Sequence, residues 1–194
     1  MFHTPAPHFA ETRRLILRAW QRSDLAPFRA LNADPLVMAH FPARLAASQS
    51  DALAERLARH LSENGWGFWA LELKHSGEFI GFCGLNQPLW QAAFTPCVEI
   101  GWRLARPFWR MGYAREAARA ALAFGFTRLR LDEIVAFTVP ANLRSVAVME
   151  AIGMQRDAKG DFSHPQLPAA YPLAPHVLYR LPAAVWRSLP ALSN

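Results

Sequence analysis

The segment at residues 97–127 constrains the fold more than any other part of the chain. Residues 97–104 alternate between apolar and other side chains, a pattern typical of a strand that buries one face. A short loop follows, and Gly112 is predicted to open a helix that ends at Thr127. One face of that helix carries mostly small side chains, at Ala114, Ala117, Ala118, Ala121, Leu122 and Gly125. Because small side chains let a helix lie close to a sheet, the segment predicts strands and helices packed in layers.

Hydrophobic periodicity divides the rest of the chain into further strands and helices. The predicted strands are residues 12–18, 66–73, 78–85, 97–104, 133–139 and 177–181, and the predicted helices are residues 23–31, 50–63, 112–127 and 142–152. Residues 158–176 contain four prolines and are expected to form a long irregular loop with at most one further strand. This order predicts an α/β fold of the α+β kind, with a central mixed sheet flanked by helices. One domain is expected over residues 1–194, with its core at about residues 10–181 and a tail at 182–194.

Composition excludes several classes of protein. With 52% hydrophobic and 19% charged residues over 194 positions, the chain is expected to fold around a core rather than to be disordered. Cys83 and Cys97 are too few for a disulfide framework or a four-cysteine zinc site. No apolar run reaches the roughly 18–20 residues that cross a membrane, and the first residues lack the apolar stretch of a secretory signal. We therefore expect a cytoplasmic protein with no membrane partner.

The net charge of +6 favours an anionic partner. Nearly all of the basic residues are arginines, since only Lys74 and Lys159 are lysines, and the planar guanidinium suits phosphate. The arginines are spread along the whole chain without a dense block. This spread favours a solvated surface over a nucleic-acid interface, and it leaves a phosphorylated cofactor as a candidate partner.

The loop that ends at Gly112 has the features of a phosphate site. A helix N-terminus offers unpaired backbone N–H groups and the positive end of the helix dipole. Gly112 lets a ligand approach the backbone without meeting a Cβ atom, and Arg106 and Arg110 add positive charge nearby. The motif alone is weak, because an ordinary alanine-rich helix with a glycine at its start accounts for it equally well.

A second segment strengthens the functional interpretation. Asn142 is predicted to cap the next helix, with Ser145 and Met149 on the same helix side and Gly153 as the terminating glycine. Local structure explains each of these residues individually. It does not explain why they follow the Gly112 segment in the same chain.

Together the two segments resemble the GCN5-related N-acetyltransferase superfamily, and within it the ribosomal-protein alanine acetyltransferase branch. The pyrophosphate loop of the superfamily reads [Gln/Arg]-x-x-Gly-x-[Gly/Ala], and residues 109–114 read Trp-Arg-Met-Gly-Tyr-Ala. The Glu-Ile-Gly-Tyr strand of the branch resembles residues 99–102, and its later helix resembles residues 142–154. The opening strand is similar at residues 12–18. The resemblance covers about residues 10–181.

The resemblance implies a cofactor and a set of residues that hold it. Such enzymes bind acetyl-CoA, with the pantetheine along a splayed strand and the pyrophosphate on the loop, and they use no metal ion. The cofactor-binding residues implied here are Trp102, Arg103, Leu104, Trp109, Arg110, Met111, Gly112, Tyr113, Ala114 and Asn142. Trp109 and Arg110 depart from the usual loop residues, but backbone N–H groups supply most of the phosphate contacts in this family.

The resemblance also implies direct attack of a neutral primary amine on the acetyl thioester. Glu99 is the candidate base that removes the ammonium proton, and a structural carboxylate paired with an arginine such as Arg103 is the alternative. Ser145 is a candidate donor to the leaving thiolate, and a small packing residue is the alternative. Many members carry a tyrosine as general acid seven residues after Asn142, where this chain has Met149. Methionine cannot donate a proton, so either another group protonates the thiolate or no protein acid is needed.

Other functions and partners stay open at this stage. The missing tyrosine is compatible with a non-catalytic acyl-CoA-binding module, and the positive charge is compatible with a basic RNA- or ribosome-binding protein. The acceptor amine belongs to a protein N-terminus or a small molecule, and the net charge argues against a polyamine. His164 and His176 bracket the proline-rich loop: either the loop overhangs the acceptor site, or the two histidines are ordinary surface residues. The hairpin aromatics Trp66, Phe68, Trp69, Phe79 and Phe82 are expected in the core, and those that are exposed would suit a homodimer.

Overall fold

The structure, a computed structural model, describes residues 9–190 of the chain. Residues 1–8 of the predicted domain and residues 191–194 of the predicted tail lie outside the described residues. Between residues 9 and 190 there are eight strands and five α-helices. The strands are β1 (Ala10–Glu11), β2 (Leu15–Arg18), β3 (Phe68–Leu73), β4 (Phe79–Asn86), β5 (Glu99–Leu104), β6 (Glu133–Thr138), β7 (Gln155–Ser163) and β8 (Pro175–Pro182). The helices are α1 (Leu25–Ala33), α2 (Ala47–Asn64), α3 (Tyr113–Thr127), α4 (Leu143–Ala151) and α5 (Ala183–Ser188).

The chain divides into two compact units. The first contains the residues up to Gly84 together with Gly101–Ala120, and the second contains Leu85–Ile100 together with the residues from Ala121 onward. Both β5 and α3 contribute residues to each unit. The strand order is β1-β2-β3-β4-β5 in the first unit and β5-β6-β8-β7 in the second.

The first unit is built on the predicted antiparallel hairpin. β3 and β4 pair with Trp69 opposite Cys83, and β2 adds to the other side of β3 with Leu17 opposite Leu71. Three of the hairpin aromatics are buried in the core, as the sequence predicted, namely Trp69, Phe79 and Phe82. The second helix of this unit ends as predicted at Gly65, which adopts a left-handed φ of 73°.

The second unit combines parallel and antiparallel pairing. Glu99 of β5 lies in parallel register with Val135 of β6, and β8 runs antiparallel to both β6 and β7. The predicted helix α4 is capped by Asn142 and is followed by Gly153 at a φ of 90°. The predicted fold class, a mixed sheet flanked by helices, is therefore confirmed.

The small face of α3 is buried as the sequence predicted. Ala117, Ala118, Ala121 and Leu122 have no exposed surface. A Cβ atom added to Gly125 would lie 2.6 Å from Cδ1 of Ile134, so only glycine fits there without a shift of that side chain. The small residues let the helix approach the sheet closely, and this fixes the position of the loop before it.

The prediction of an irregular loop at residues 158–176 was wrong at both ends. β7 continues to Ser163 and β8 begins at Pro175, so only residues 164–174 lie outside the strands. β7 is a sheet-edge strand with mostly exposed polar residues, and its sequence therefore lacks the apolar alternation that identifies a strand. Pairing with β8 forms it, from Gln155 opposite Arg180 to Ser163 opposite Pro175. Part of the predicted tail forms α5, where Trp186 stacks on Phe126 with ring centroids 5.5 Å apart.

Candidate active site

The loop between β5 and α3 is held in place by its own tryptophan. The indole Nε1 of Trp109 donates a hydrogen bond of 2.8 Å to the backbone carbonyl of Leu104. Leu104 itself is buried, at 5% exposure. Backbone bonds from Phe108 to Ala105 and from Trp109 to Arg106 close the turn. The loop therefore presents residues 110–112 at a fixed place.

Two residues of this loop adopt left-handed backbone conformations. Arg110 has a φ of 61° and Gly112 a φ of 79°. Turns that alternate in this way aim successive N–H groups into a concavity that binds anions. A Cβ atom added to Gly112 would meet only Nη2 of Arg14, at 3.4 Å, so the space beside it is otherwise open. Arg110 thus takes a conformation that glycine favours.

The first turn of α3 follows this loop directly. Tyr113 is buried, whereas Ala114 is partly exposed and Met111 is exposed. The first N–H groups of a helix have no partner within the helix, and they lie at the positive end of the helix dipole. Residues 109–114, which the sequence predicted as a pyrophosphate site, thus form one continuous turn whose N–H groups suit a phosphate.

An arginine clamp that the sequence analysis missed supports this turn. Nε of Arg14 lies 2.7 Å from Oε2 of Glu116, and its Nη1 donates to the carbonyl of Met111 at 2.9 Å. The guanidinium also covers the ring of Tyr113, 4.4 Å from the centroid. Burial raises the pKa of Glu116, but hydrogen bonds from Thr12 and Arg14 outweigh it and hold that pKa below its usual range. The clamp joins residues about a hundred positions apart, so no local pattern identifies it.

Arg103 of β5 is a half-buried cation with no carboxylate partner among the ion pairs of the described residues. Its Nη1 donates a 2.6 Å hydrogen bond to Oδ1 of Asn32, and its guanidinium carbon lies 4.0 Å from the ring centroid of Phe41 and 5.4 Å from that of Phe82. Its Nε atom is buried without a hydrogen-bond partner among residues 9–190. Burial lowers the pKa of Arg103 to about 10. The neighbouring Trp102 is half-buried and completes the part of the strand on which a pantetheine was predicted.

Glu99, the predicted base, lies in the second unit at the start of β5. Nδ2 of Asn86 donates a hydrogen bond of 2.7 Å to its Oε1. Burial raises the pKa of Glu99 to about 7, although the bond from Asn86 acts in the opposite direction. No ion pair within the described residues includes Glu99, so the alternative role of an arginine-paired carboxylate has no support there. A carboxylate with a pKa near neutrality is suited to take up and release a proton at physiological pH.

Asn142 and Ser145 form a short polar network at the start of α4. Asn142 accepts a hydrogen bond of 3.4 Å from the N–H of Ser145 and donates to Oγ of Thr138 and of Ser145, at 2.9 and 3.0 Å. Because Oγ of Ser145 acts as an acceptor here, its own hydrogen stays available to another group. Met149 is buried, at 3% exposure, and its thioether belongs to the core. The structure thus brings Asn142 and Ser145 together and removes Met149 from the site.

Two kinds of structural feature are absent from residues 9–190. Within that part of the chain, no three histidine, cysteine, aspartate or glutamate side chains converge into a group that would hold a metal ion. Across the same residues, no helix combines the length and apolar character needed to cross a membrane.

Comparison with known proteins identifies the family. The family model described as "Acetyltransferase (GNAT) domain" matches residues 14–155. The Bacillus subtilis protein YkkB, named as uncharacterized, is 35% identical over 144 residues, which is 74% of this chain and 83% of YkkB. The "Uncharacterized N-acetyltransferase YnaD" of the same species is 30% identical over 146 residues, or 75% of this chain and 82% of YnaD.

Solved structures share the fold. An acetyltransferase from Agrobacterium tumefaciens has a TM-score of 0.71 at 27% identity, over 93% of this chain and 97% of that one. The spermidine N-acetyltransferase of Vibrio cholerae, in complex with CoA and spermine, has a TM-score of 0.70 at 21% identity, over 91% of this chain and 100% of that one. The second likeness concerns the fold alone.

A mixed sheet flanked by helices, shared with solved acetyltransferases, places the chain in the class of acyltransferases that use an acyl-CoA. The chain belongs to the GNAT acetyltransferase domain family. It is an N-acetyltransferase, and its co-substrate is acetyl-CoA. The branch of ribosomal-protein alanine acetyltransferases, which the motifs also resemble, is a finer assignment than these comparisons reach.

Proposed function

We propose that this N-acetyltransferase transfers the acetyl group to a primary amine, of a protein N-terminus or of a small molecule, by direct attack on the thioester. The observation that carries the proposal is Glu99, whose pKa is raised to about 7 and whose carboxylate is held by Asn86 on the strand that leads to residues 102–104. Its ionised form accepts the ammonium proton, either directly or through water. The neutral amine then attacks the acetyl carbon, so no covalent enzyme intermediate forms.

The cofactor is proposed to lie along β5 and the loop that follows. In this arrangement the backbone N–H groups of residues 110–114 hold the pyrophosphate, and Trp102, Arg103 and Leu104 line the pantetheine. A backbone N–H of that strand polarises the thioester carbonyl where negative charge develops. Support comes from the left-handed conformations of Arg110 and Gly112 and from the open space beside Gly112. Asn142 is proposed as a further cofactor-binding residue, as the family resemblance implies.

The leaving thiolate is proposed to receive a hydrogen bond from Ser145. Met149 is buried and carries no acidic proton, so it has no part in this step. The hydroxyl hydrogen of Ser145 is available, because Asn142 occupies the oxygen as a donor. Coenzyme A thiolate is a fairly good leaving group, so stabilisation by a hydroxyl is sufficient.

Four further assignments belong to this proposal. Residues 1–194 act as one acetyltransferase domain, and the chain is placed in the branch that resembles ribosomal-protein alanine acetyltransferases. A cytoplasmic location is also proposed, and the free state of Cys83 and Cys97 agrees with it. A homodimer stays a proposal. Trp69, Phe79 and Phe82 are buried, and Trp66 and Phe68 are the hairpin aromatics that stay partly exposed.

The test is release of free thiol from acetyl-CoA in the presence of peptides, amino acids, polyamines and other primary amines. We expect turnover with at least one amine and a rise of the melting temperature with acetyl-CoA, because the cofactor binds only the folded state. A melting shift without any turnover would instead identify a non-catalytic acyl-CoA-binding module. RNA binding that weakens steeply with salt, with no response to acetyl-CoA, would identify a nucleic-acid protein.

A further inference from the structure

Six aromatic rings form a half-exposed group in the second unit, which we call the aromatic cluster. Its members are Trp90, Phe94, Phe137, Phe162, His164 and His176, and all six are half-buried. Trp90 is central, since its ring lies 5.8 Å from Phe162 in a stacked arrangement and 5.0 Å from His164. Rings at these distances form a continuous apolar surface. A surface of this kind that stays partly open to solvent marks an interaction site more often than a core.

The sheet register places the aromatic cluster on the same face as Glu99. Glu99 lies beside Val135, and Phe137 is two residues further along the same strand, so their side chains point to one face. Phe137 is opposite Leu178, and His176 is two residues before Leu178 and opposite Phe162. From strand spacing and rise per residue, the backbone of Phe137 is about 8 Å from that of Glu99. Two side chains at this separation on one face can be contacted by a single ligand in which a short carbon chain joins an amine to a ring.

The aromatic cluster is uncharged around neutral pH. Burial lowers the pKa of His164, and so does the charge of His176, while burial also lowers the pKa of His176 despite its bond to the carbonyl of Ala174. The backbone N–H of Gln166 donates to Nδ1 of His164, which requires the unprotonated nitrogen there. None of the six side chains is a carboxylate. A polycationic acceptor therefore finds no countercharge in the cluster, and the net charge of +6 opposes it further.

We propose that the aromatic cluster binds the non-reacting part of the acceptor, and that the acceptor is a primary amine a few carbons away from a flat apolar ring. The inference rests on the proposed function, because it takes Glu99 as the group that deprotonates the amine. The ring packs against Trp90 and Phe162, and the amine reaches the carboxylate. The same chemistry is present in a free arylalkylamine and at a protein N-terminus that begins with an aromatic residue.

The experiment compares kcat/KM for five acceptors, measured by thiol release from acetyl-CoA. The acceptors are 2-phenylethylamine, ethylamine, spermidine and a pair of peptides that differ only in phenylalanine or alanine at the first position. We expect kcat/KM for 2-phenylethylamine to exceed that for ethylamine, or kcat/KM for the phenylalanine peptide to exceed that for the alanine peptide, or both, by about tenfold or more. Burial of one aromatic ring accounts for a difference of this size. Which of the two aromatic acceptors is preferred separates a small-molecule substrate from a protein N-terminus.

The matched variants are Trp90→Ala, Trp90→Phe and Leu89→Ala. Trp90→Ala should raise KM for the preferred aromatic acceptor about tenfold, by loss of one aromatic contact surface, with KM for acetyl-CoA unchanged. Trp90→Phe should restore most of the affinity, because it keeps a ring in the cluster. Leu89 is the adjacent residue and is 97% exposed, so Leu89→Ala controls for a change in the loop itself. Melting curves of all three variants check that the fold is retained.

Two results overturn different parts of the argument. Turnover that is fastest with spermidine or ethylamine, and unaffected by Trp90→Ala, would overturn the assignment of the aromatic cluster while the acetyltransferase function stands. No thiol release with any amine in this set or in the wider panel would overturn the proposed function and the assignment with it.

Discussion

Nδ2 of Asn86 donates a hydrogen bond of 2.7 Å to Oε1 of Glu99, across the ends of β4 and β5. This bond orients the carboxylate while burial raises its pKa to about 7. A fully solvated carboxylate is too weak a base to help an ammonium group at neutral pH, and a pKa near neutrality removes much of that difference. The hydrogen bond from Asn86 thus orients the carboxylate of Glu99, and burial makes it more basic.

Replacing Glu99 by glutamine tests the base directly. Glu99→Gln should lower kcat by roughly 100-fold or more, the usual effect of losing a general base, with little change in acetyl-CoA affinity. The amide is isosteric, so folding should hold, as melting curves will show. The loss should shrink as pH rises, because more of the amine is then already neutral. Wild-type kcat in this variant from about pH 6 to 9 would return Glu99 to a structural role, and Asp161 or His164 would be examined next as the base.

The raised pKa of Glu99 also predicts how stability depends on pH. Its folded-state pKa of about 7 lies above the ordinary 4.5, so the unfolded chain releases this proton first as pH rises. The contribution of Glu99 to stability is therefore fully present below about pH 4.5 and is lost as pH rises through 7. We expect Glu99→Gln to be more stable than the wild type above pH 7, and the difference to vanish near pH 4.5. Denaturant unfolding of both proteins across this range measures the difference, and parallel curves would contradict the shift.

Sequence patterns predicted those parts of the structure that depend on local chemistry. The hairpin of β3 and β4, the buried small face of α3 and the cap of α4 at Asn142 all follow from periodicity, glycine placement and capping. β7 was missed because its strand character comes from pairing with β8 and not from its own residues.

Sequence patterns also did not predict the residues that support the candidate site. Arg14 reaches Glu116 and Met111 across about a hundred residues, and Asn86 reaches Glu99 from the end of another strand. Their roles depend on tertiary contacts that have no spacing rule. The loop at residues 109–114 was recognisable only because a family resemblance supplied the pattern.

The left-handed arginine of the loop yields a prediction about stability. A non-glycine residue in that conformation lowers the free energy of unfolding by about 1–2 kcal/mol. Glycine removes this strain, but it also increases the conformational entropy of the unfolded chain, so only part of the loss is recovered. Arg110→Gly should therefore raise the free energy of unfolding by up to about 1 kcal/mol. Arg130, with a φ of 54°, provides a matched control outside the loop. Arg110→Gly and Arg130→Gly should both be more stable than the wild type in denaturant unfolding. Only Arg110→Gly should weaken acetyl-CoA binding at low salt. An equal effect of the two variants on binding would mean that the phosphates bind away from Arg110.

Removing one partner of the buried ion pair at the start of α1 is expected to destabilise the first unit. Arg18 donates two hydrogen bonds of 2.8 Å to Asp24 and one of 2.6 Å to Glu72, and Asp24 is 1% exposed. Asp24→Asn leaves a buried guanidinium with one carboxylate fewer, which typically costs about 3–5 kcal/mol. Asp51→Asn, in the exposed pair with Arg29, is the control and should have little effect. Equal melting temperatures for the two variants would contradict the claim that burial makes the loss of Asp24 costly.

Gly112 provides the sharpest test of the cofactor loop. Gly112→Val places a branched side chain where the backbone N–H groups are proposed to meet the pyrophosphate, so acetyl-CoA affinity should fall at least tenfold, or about 1.4 kcal/mol. The substitution also strains a φ of 79°, and this effect needs its own control. Gly77→Val in the turn between β3 and β4 supplies it, because Gly77 has a φ of 70° and an added Cβ would meet nothing within 4 Å. Calorimetric titration with acetyl-CoA should show weakened binding for Gly112→Val and wild-type binding for Gly77→Val, with similar losses of melting temperature in both. Unchanged affinity in Gly112→Val would mean that the phosphates bind away from the start of α3.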